Sequence, residues 1–347
     1  MPQASSTVFR AQSTVANLTI SRKIPIYVFL ELTRLCNLRC RHCYLVKEKK
    51  AELSTEEIKE VIRQLRNENA LILNFSGGEV FERQDFFDIS EYAKELNFGI
   101  KIFTNGTLID DLKAARLAKL KPLRVEISIY SLDPEVHDSI TGVEGSLEKS
   151  LNALCLLRSH KIPLRIKTPL MKNNFSGYRR IIELAKRLGA KYQFDPNIIP
   201  KLDGDKSVLC RRIGKKNLIQ LLRDPAIRAN EDSMTRGGGQ TEGLSCSAGH
   251  NSCAINAYGE VQPCAILPIK LGSLRKNDFC NIWKNSPELN CLRSVRMSDL
   301  KVCSKCSLLA CCARCPGLAY LETGNILGVS RRNCFVSKIN SGLWFYQ

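Results

Sequence analysis

The chain has 347 residues, of which 44% are hydrophobic and 16 are cysteines, and this length excludes the short disulfide scaffolds in which cysteines are usually so abundant. Its formal net charge is +18, yet the segment from Met1 to Ile20 is polar and no run of 18 apolar residues could span a membrane. These features predict a cytoplasmic protein of two domains, without membrane contacts, in which clustered cysteines bind metal.

The first part of the chain alternates strand and helix patterns. Six short segments rich in Ile, Val, Leu and Phe are predicted as strands: Ile26–Leu32, Leu71–Phe75, Ile100–Phe103, Val125–Ile129, Leu164–Lys167 and Tyr192–Phe194. Strands that alternate with helices at this spacing indicate a parallel sheet with helices packed outside it.

Two of the predicted helices carry clear apolar stripes at helical spacing. The stripes are Ile58, Val61, Ile62 and Leu65, and then Leu147, Leu151, Leu154 and Leu157. Ser54 and Glu57 form the pattern of a capping box before the first stripe. Cys155 lies within the second stripe, so we expect it in the core.

A cysteine-rich loop follows the first predicted strand. Cys36, Cys40 and Cys43 have the spacing C-x3-C-x2-C, and the aromatic residue Tyr44 comes directly after them. Thiolates are natural ligands of iron–sulfur clusters, and three of them would leave one iron of a 4Fe–4S cluster open. For three such cysteines alone, a zinc site or buried thiols are the alternatives.

Glycine-rich and polar segments follow the next three strands. They are Gly77, Gly78 and Glu79 after the second strand, Asn105 after the third and Ser128 at the end of the fourth. Glycine lets the backbone approach a ligand closely because it has no Cβ. The carboxyl ends of parallel strands meet at one edge of a sheet, so we expect these segments to lie beside the cysteine loop.

The strand and helix alternation fades after Pro200. We predict an N-terminal extension over residues 1–24, a sheet domain over 25–200, a linker over 201–245 and a cysteine-rich domain over 246–347. The run Arg236–Gly239 within the linker is typical of a flexible connection.

In the cysteine-rich part, Cys246, Gly259 and Cys264 have the spacing C-x12-G-x4-C, and they are followed by Cys303-x2-Cys306, Cys311-x3-Cys315 and Cys334. Together these segments resemble the radical S-adenosylmethionine (SAM) superfamily with a C-terminal SPASM extension. The resemblance implies an α/β fold, in which a partial, TIM-like (β/α)6 barrel is followed by a small cysteine-rich SPASM domain. It also implies that SAM chelates the open iron of the first cluster and is cleaved reductively to a 5′-deoxyadenosyl radical. That radical then abstracts hydrogen from a substrate.

The resemblance also assigns residues to the cofactors. The segment Gly77-Gly78-Glu79 would bind the SAM amino group, although Val80 replaces the proline that is usual after it, and Tyr44, Asn105 and Ser128 would lie near SAM. One auxiliary 4Fe–4S cluster would be held by Cys246, Cys253, Cys264 and Cys315, and a second by Cys303, Cys306, Cys311 and Cys334. The usual gap after Cys306 would select Cys312, but the usual gap before Cys315 selects Cys311, which we prefer.

The reaction and the partners follow from the same resemblance. Auxiliary clusters without an open iron can pass electrons, so we predict an oxidation or a cross-link in the substrate. The leading substrate is a peptide or protein, as in the maturation of ribosomally made peptides, and Ala265 disfavours sulfatase maturation, for which relatives carry aspartate. Few residues precede the first strand, so a leader would be bound by the barrel, the extension or a separate partner protein. An electron donor such as flavodoxin or ferredoxin is also implied.

Other functions stay open on the sequence alone. The alternative enzyme modifies a small molecule such as a tetrapyrrole, as in heme-type biosynthesis, and the non-enzymatic alternatives are an iron–sulfur electron carrier and a zinc-stapled interaction module. The charge of +18 would suit an acidic leader, a carboxylate-rich tetrapyrrole or RNA. Because the basic residues are dispersed in pairs without a recognition module, a solvated basic surface is favoured over nucleic-acid binding.

Overall fold

The computed structural model describes residues 14–229 and 246–341. Nine strands within these ranges form one sheet, in the order β6-β5-β4-β3-β2-β1-β7-β8-β9. The strands are β1 (Tyr27–Thr33), β2 (Ile72–Gly77), β3 (Gly99–Thr104), β4 (Arg124–Ser128), β5 (Leu164–Pro169), β6 (Lys191–Asp195), β7 (Ser252–Ile255), β8 (Glu260–Gln262) and β9 (Gly272–Ser273). The first six are parallel neighbours in chain order, which confirms the predicted parallel sheet.

Helices connect the strands and cover the sheet. A first helix, α1, covers residues 14–21. The others are α2 (Thr55–Asn67), α3 (Phe86–Glu95), α4 (Asp111–Leu120), α5 (Pro134–Thr141), α6 (Ser146–Ser159), α7 (Tyr178–Leu188), α8 (Lys215–Arg223), α9 (Pro225–Ala229), α10 (Phe279–Asn285), α11 (Pro287–Ser294), α12 (Pro316–Thr323) and α13 (Arg331–Asn340). No helix among the described residues is long and apolar enough to cross a membrane.

The core lies between the helices and one face of the sheet. The whole first stripe is buried on α2, and the helix begins with the predicted capping box between Ser54 and Glu57. Leu147, Leu154 and Leu157 of the second stripe are buried on α6. The prediction that Cys155 joins this core is wrong, because its side chain is exposed. One residue after Leu154, a helix has turned by about 100°, which carries Cys155 away from the buried face.

Each of the six predicted strands is present, with ends that differ by one or two residues. Alternate side chains of β3 illustrate the general pattern, since Ile100 and Ile102 are fully buried in the core while Lys101 and Phe103 are partly exposed on the other face. The second face of the sheet therefore carries polar and aromatic side chains. It forms the inside of the partial barrel.

The cysteine-rich part continues the same sheet, which the sequence pattern did not indicate. Strand β7 pairs parallel to β1, with Val28 opposite Cys253 and Leu30 opposite Ile255, and β8 and β9 add two antiparallel strands beyond it. The predicted linker also contains regular structure, because α8 and α9 lie within it. The predicted run Arg236–Gly239 lies outside the described residues.

Candidate active site

The cysteine loop leaves the end of β1 and is tied to α5. Its backbone nitrogens at Arg39 and Arg41 donate to the carbonyl oxygens of Thr141 and Ile140, at 2.7 and 2.9 Å. Within the loop, Cys43 N donates to the carbonyl oxygen of Cys40 at 3.0 Å. These bonds fix a turn that carries Cys36, Cys40 and Cys43 on one short segment at the sheet edge.

The three thiols of this loop lie within electrostatic reach of one another. Burial, with a smaller effect of the neighbouring thiols, raises the pKa of Cys36 to about 11 and that of Cys40 to about 12. The Tyr130 hydroxyl lies 3.7 Å from Cys40 Sγ and is the nearest polar partner of that sulfur. Such thiols become thiolates when a cationic metal centre compensates their charge. The loop therefore fits a group that accepts three thiolates.

The glycine pair at the end of β2 is required by the cysteine loop itself. A Cβ on Gly77 would overlap the carbonyl oxygen of Thr33, and one on Gly78 would overlap that of Leu35. Two backbone hydrogen bonds join the same segments, from Gly78 N to Thr33 O and from Glu79 N to Leu35 O, both at 2.8 Å. The two glycines thus allow a close approach to the backbone of Thr33 and Leu35, which leads into the cysteine loop.

Glu79 is completely buried and joins the loops after β2 and β3. Its carboxylate accepts hydrogen bonds from Thr104 Oγ1 at 2.6 Å, from Asn105 N at 2.7 Å and from Phe81 N at 3.2 Å. Burial raises the pKa of Glu79 to about 7, although these hydrogen bonds lower it. The three hydrogen bonds consequently hold the carboxyl group in one position.

A side-chain network that the sequence analysis missed connects the same loops to the cysteines. Asn105 Nδ2 donates to Asn37 Oδ1 at 2.9 Å, and Asn37 Nδ2 donates to Thr107 Oγ1 at 2.8 Å. Thr107 in turn donates from its hydroxyl to Asn105 Oδ1 at 2.6 Å. The signal available in the sequence was a short amide or hydroxyl side chain directly after Cys36 and again after the third strand.

Ser128 and Tyr130 place the end of β4 beside the cysteine loop. Tyr130 is buried, and burial together with the thiol of Cys40 raises its pKa well above the ordinary value, while a hydrogen bond with Ser128 lowers it. The Tyr130 ring also packs edge-on against His42, with ring centroids 4.9 Å apart. The predicted residue Ser128 therefore reaches the cysteine loop through Tyr130.

The inside of the partial barrel holds a group of paired charges. Glu126 is almost fully buried and accepts ion pairs from Arg124 at 2.8 Å and Arg165 at 3.2 Å. Lys167 lies 3.6 Å from the other oxygen of Glu126, and its ammonium also lies 4.2 Å from the centroid of the Phe103 ring. One carboxylate thus pairs with three cations, so these four side chains keep an excess of positive charge.

A second group of cysteines lines a cavity in the C-terminal part. Cys246, Cys264 and Cys315 line it together with His250. Burial, with a smaller effect of the thiols of Cys246 and Cys315, raises the pKa of Cys264 to about 12. Cys253, the fourth predicted ligand, is not among the lining residues and lies on β7 in the hydrophobic core.

A third group of cysteines surrounds the start of α13. Burial raises the pKa of the Cys334 thiol, and the neighbouring thiols of Cys312, Cys303 and Cys306 raise it further. Cys311, which was preferred over Cys312 from the sequence, is the last residue of a short 3-10 turn, and Cys312 follows that turn. Cys312 is among the thiols that raise the pKa of Cys334, and Cys311 is not named among them.

Within residues 14–229 and 246–341, no three His, Cys, Asp or Glu side chains converge on a point where they could hold a single metal ion. A 4Fe–4S cluster makes a different demand, because each thiolate binds its own iron at a separate corner.

Comparison with known proteins identifies the family. A match to the radical SAM superfamily covers residues 30–191, and a match to SPASM, an iron–sulfur cluster-binding domain, covers residues 246–316. An AdoMet-dependent heme synthase of Methanosarcina barkeri is 30% identical in an alignment 330 residues long, which covers 87% of this chain and 94% of that protein. The chain belongs to the radical SAM superfamily.

Two further comparisons come from proteins whose names or titles refer to peptides. The antilisterial bacteriocin subtilosin biosynthesis protein AlbA of Bacillus subtilis is 28% identical over 336 residues, covering 89% of this chain and 70% of AlbA. The crystal structure of Streptococcus suis SuiB bound to precursor peptide SuiA matches with a TM-score of 0.73 at 19% identity, covering 95% of this chain and 81% of that one.

The predicted fold, enzyme class and cofactors are thereby confirmed. This radical SAM protein is an enzyme of oxidoreductase-type radical chemistry, with a SAM-binding 4Fe–4S cluster and auxiliary clusters. The individual ligands predicted for these clusters stay predictions. The three-thiol loop at the sheet edge is consistent with the first cluster, and the two C-terminal groups are consistent with the others.

Tyr44 lies between the two parts of this radical SAM protein. Its carbonyl oxygen accepts a hydrogen bond from Leu202 N at 3.0 Å. Burial raises the pKa of its phenol, and its electrostatic neighbours include Glu31, Cys43 and Cys264. Tyr44 is therefore close both to the cysteine loop and to the cavity of the C-terminal group.

Proposed function

We propose that this radical SAM enzyme oxidises or cross-links a peptide or protein substrate in the cytoplasm. When bound, the first cluster and SAM supply the radical that removes hydrogen from the substrate. The chain's own residues hold and orient these groups and keep the substrate at the inside of the barrel.

Cys36, Cys40 and Cys43 are the proposed ligands of the first cluster. Around it, Gly77, Gly78, Glu79, Asn105, Ser128 and Tyr44 are the proposed SAM site. Glu79 is the best-supported member, because three donors from two loops hold its carboxylate in place. A carboxylate so fixed can accept a hydrogen bond from an ammonium group without further loss of side-chain freedom.

The observation that carries the choice of substrate is the relation to AlbA, a bacteriocin biosynthesis protein, over 89% of this chain. The charges inside the barrel do not separate the substrate classes. Arg124, Arg165 and Lys167 share the single carboxylate of Glu126, so these four side chains keep an excess of positive charge. Such a wall suits a polypeptide with acidic side chains as well as a small molecule with carboxylates.

A tetrapyrrole is the second candidate, and a specific observation favours it. The alignment with the heme synthase of Methanosarcina barkeri covers 94% of that protein, whereas the alignment with AlbA covers 70% of AlbA. The excess positive charge of Arg124, Arg165 and Lys167 inside the barrel would be available to the carboxylates of a tetrapyrrole.

One experiment separates the two candidates. The protein is reconstituted anaerobically with iron and sulfide and reduced with dithionite. Formation of 5′-deoxyadenosine is then measured with peptides encoded beside its gene, and with a tetrapyrrole that bears propionate side chains. We expect a peptide to stimulate the reaction and to lose two hydrogen atoms by mass spectrometry. Stimulation by the tetrapyrrole alone would overturn the peptide assignment, and no 5′-deoxyadenosine under any condition would overturn both.

For the C-terminal auxiliary cluster we propose Cys303, Cys306, Cys312 and Cys334 as ligands, with Cys312 in place of the predicted Cys311. The proposal is supported by the thiols that surround Cys334. This ligand set keeps the usual gap of five residues after Cys306, but it shortens the gap before Cys315 from three residues to two.

The adjacent cysteines provide a matched pair of variants. Cys312→Ser should lower the iron and sulfide content of the reconstituted protein by about one cluster, because it removes a ligand. Cys311→Ser should keep the wild-type content, since its thiol is not needed. Iron and acid-labile sulfide assays on both variants provide the measurement. The reverse result would restore the assignment made from the sequence.

A further inference from the structure

We propose that the guanidinium of Arg314 donates hydrogen bonds to the auxiliary cluster at Cys246, Cys264 and Cys315, and that it raises the reduction potential of that cluster. The inference rests on the proposed function and deepens it, because it names a residue that tunes the cluster without binding iron. Arg314 directly precedes Cys315 in the chain.

Arg314 is buried in the segment that joins the two C-terminal groups of cysteines. Only 8% of the residue is exposed, and it lies between Cys312 and Cys315. Its Nη2 donates to the carbonyl oxygens of Ile326 and Gly328, the latter at 3.2 Å. Both carbonyls belong to the segment after α12. The side chain is therefore fixed in the interior of the protein and does not extend into solvent.

The other two nitrogens of this guanidinium have no partner in the described part of the chain. Nε and Nη1 of Arg314 are buried there without a hydrogen-bond acceptor, and no described carboxylate pairs with the side chain. An arginine side chain stays charged inside a protein, so it needs acceptors and also an opposite charge. A water molecule could accept the hydrogen bonds but would leave the charge uncompensated. The two nitrogens therefore indicate an anionic group that the polypeptide itself does not supply.

Two thiols of the neighbouring cysteine group lie within electrostatic reach of Arg314. Burial raises the pKa of Cys246 and of Cys315, and the positive charge of Arg314 opposes this rise at both thiols. A cluster held by thiolates carries negative charge, and its sulfur atoms accept hydrogen bonds from N–H groups. Such a cluster is the anionic acceptor that the two nitrogens of Arg314 lack.

The C-terminal auxiliary cluster has a different electrostatic environment. Burial and the thiols of its own group raise the pKa of Cys334, and a cation that lowers it is Lys338, whose side chain is exposed on α13. Water and salt screen an exposed charge much more than a buried one. We therefore expect Arg314 to raise the potential of the cluster at Cys246, Cys264 and Cys315 more than that of the C-terminal auxiliary cluster.

A higher potential suits the oxidation that we propose for this enzyme. Reduction adds one negative charge to a cluster, so a nearby cation and hydrogen bonds to the sulfur atoms both favour the reduced state. A substrate radical left by hydrogen abstraction must lose one electron and one proton to complete an oxidation. A cluster of higher potential accepts that electron more readily.

Replacing Arg314 with methionine in the reconstituted full chain tests the inference. Methionine keeps an unbranched side chain in the buried position but has neither the charge nor the donors. We expect the potential of one auxiliary cluster to fall by about 59 mV, a tenfold loss in the equilibrium constant of a one-electron reduction. The iron content and the other potentials should stay at the wild-type level. A potentiometric titration followed by electron paramagnetic resonance provides the measurement.

Arg187→Met is the matched control. It removes the same charge from an exposed position in the last turn of α7, a helix that packs on β5 and β6 of the barrel. This variant should leave all cluster potentials unchanged. An equal shift in both variants would mean that the net charge of the protein, and not a hydrogen bond from Arg314, sets the potential, and it would overturn the inference.

A second measurement decides the question even where the methionine variant does not fold. Wild-type protein labelled with ¹⁵N-arginine should show a weak arginine nitrogen coupling to a reduced cluster in pulsed electron paramagnetic resonance, and Arg314→Lys should lose it while keeping the charge. Absence of the coupling in the wild type, its persistence in Arg314→Lys, or an unchanged potential in Arg314→Met would each overturn the inference. If the wild type still forms 5′-deoxyadenosine, the proposed function stands and only the role of Arg314 fails.

Discussion

Replacing Cys40 with serine should abolish the formation of 5′-deoxyadenosine from SAM. Cys40 is the central thiol of the loop after β1, and its sulfur is buried beside the Tyr130 hydroxyl at 3.7 Å. Serine oxygen is a poor ligand for iron, and the two remaining thiols cannot hold three corners of a cluster. We expect the iron content to fall by about one 4Fe–4S cluster. Iron assay, absorbance of the cluster and product analysis provide the measurements.

The matched control is Cys155→Ser. Cys155 is an exposed cysteine on α6 and belongs to none of the three cysteine groups. Its replacement should leave iron content and product formation at the wild-type level. Retention of SAM cleavage in the Cys40 variant would contradict the proposed ligand set, and equal losses in both variants would indicate a general effect of changing cysteines.

Replacing Gly78 with alanine should disturb the cysteine loop. Gly78 follows the neighbouring strand β2 and lies against the backbone that leads into the loop. The added Cβ would overlap the carbonyl oxygen of Leu35, which is backbone and cannot rotate away as a side chain could. The hydrogen bond from Gly78 N to Thr33 O would have to lengthen from 2.8 Å. We expect a loss of about 3 kcal/mol in the free energy of unfolding, or roughly 5–10 °C in melting temperature. Cluster occupancy should fall as well, because Leu35 directly precedes Cys36.

Gly214→Ala is the control for this variant. A Cβ at Gly214 meets no atom within 4 Å, and its backbone is extended, with φ at −69°, before α8. This substitution should change the melting temperature by no more than a degree or two. Thermal unfolding of both variants, followed by circular dichroism, makes the comparison. Equal stability of the two would mean that the contact between Gly78 and Leu35 is not tight in solution.

The sequence predicted the barrel well because its signals are local. Every parallel strand from β1 to β6 is a short apolar run, and the capping box of Ser54 and Glu57 needs only two residues at the right spacing. The loops after the strands were predicted to meet because parallel strands end at one edge. The contact of Glu79 with Thr104 and Asn105 bears this out.

The remaining features depend on contacts between distant segments, which spacing does not reveal. The pairing of β7 with β1, which places Cys253 in the hydrophobic core, could not be read from the motif. The prediction that Cys253 is a cluster ligand stays a prediction. Likewise, the choice between Cys311 and Cys312 depends on where α13 brings Cys334. Cys155 shows a smaller error of the same kind, because the width of a helix's buried face is set by its neighbours and not by its own sequence.

The junction of β1 and β7 limits how this enzyme could be rearranged by evolution or by design. If residues 246–341 were grafted onto another barrel, or deleted from this one, the strand that leads into the cysteine loop would lose a neighbour along Tyr27, Val28, Phe29 and Leu30. An uncovered central strand invites association with other chains. The two parts should therefore be inherited and exchanged together, as a single foldable piece.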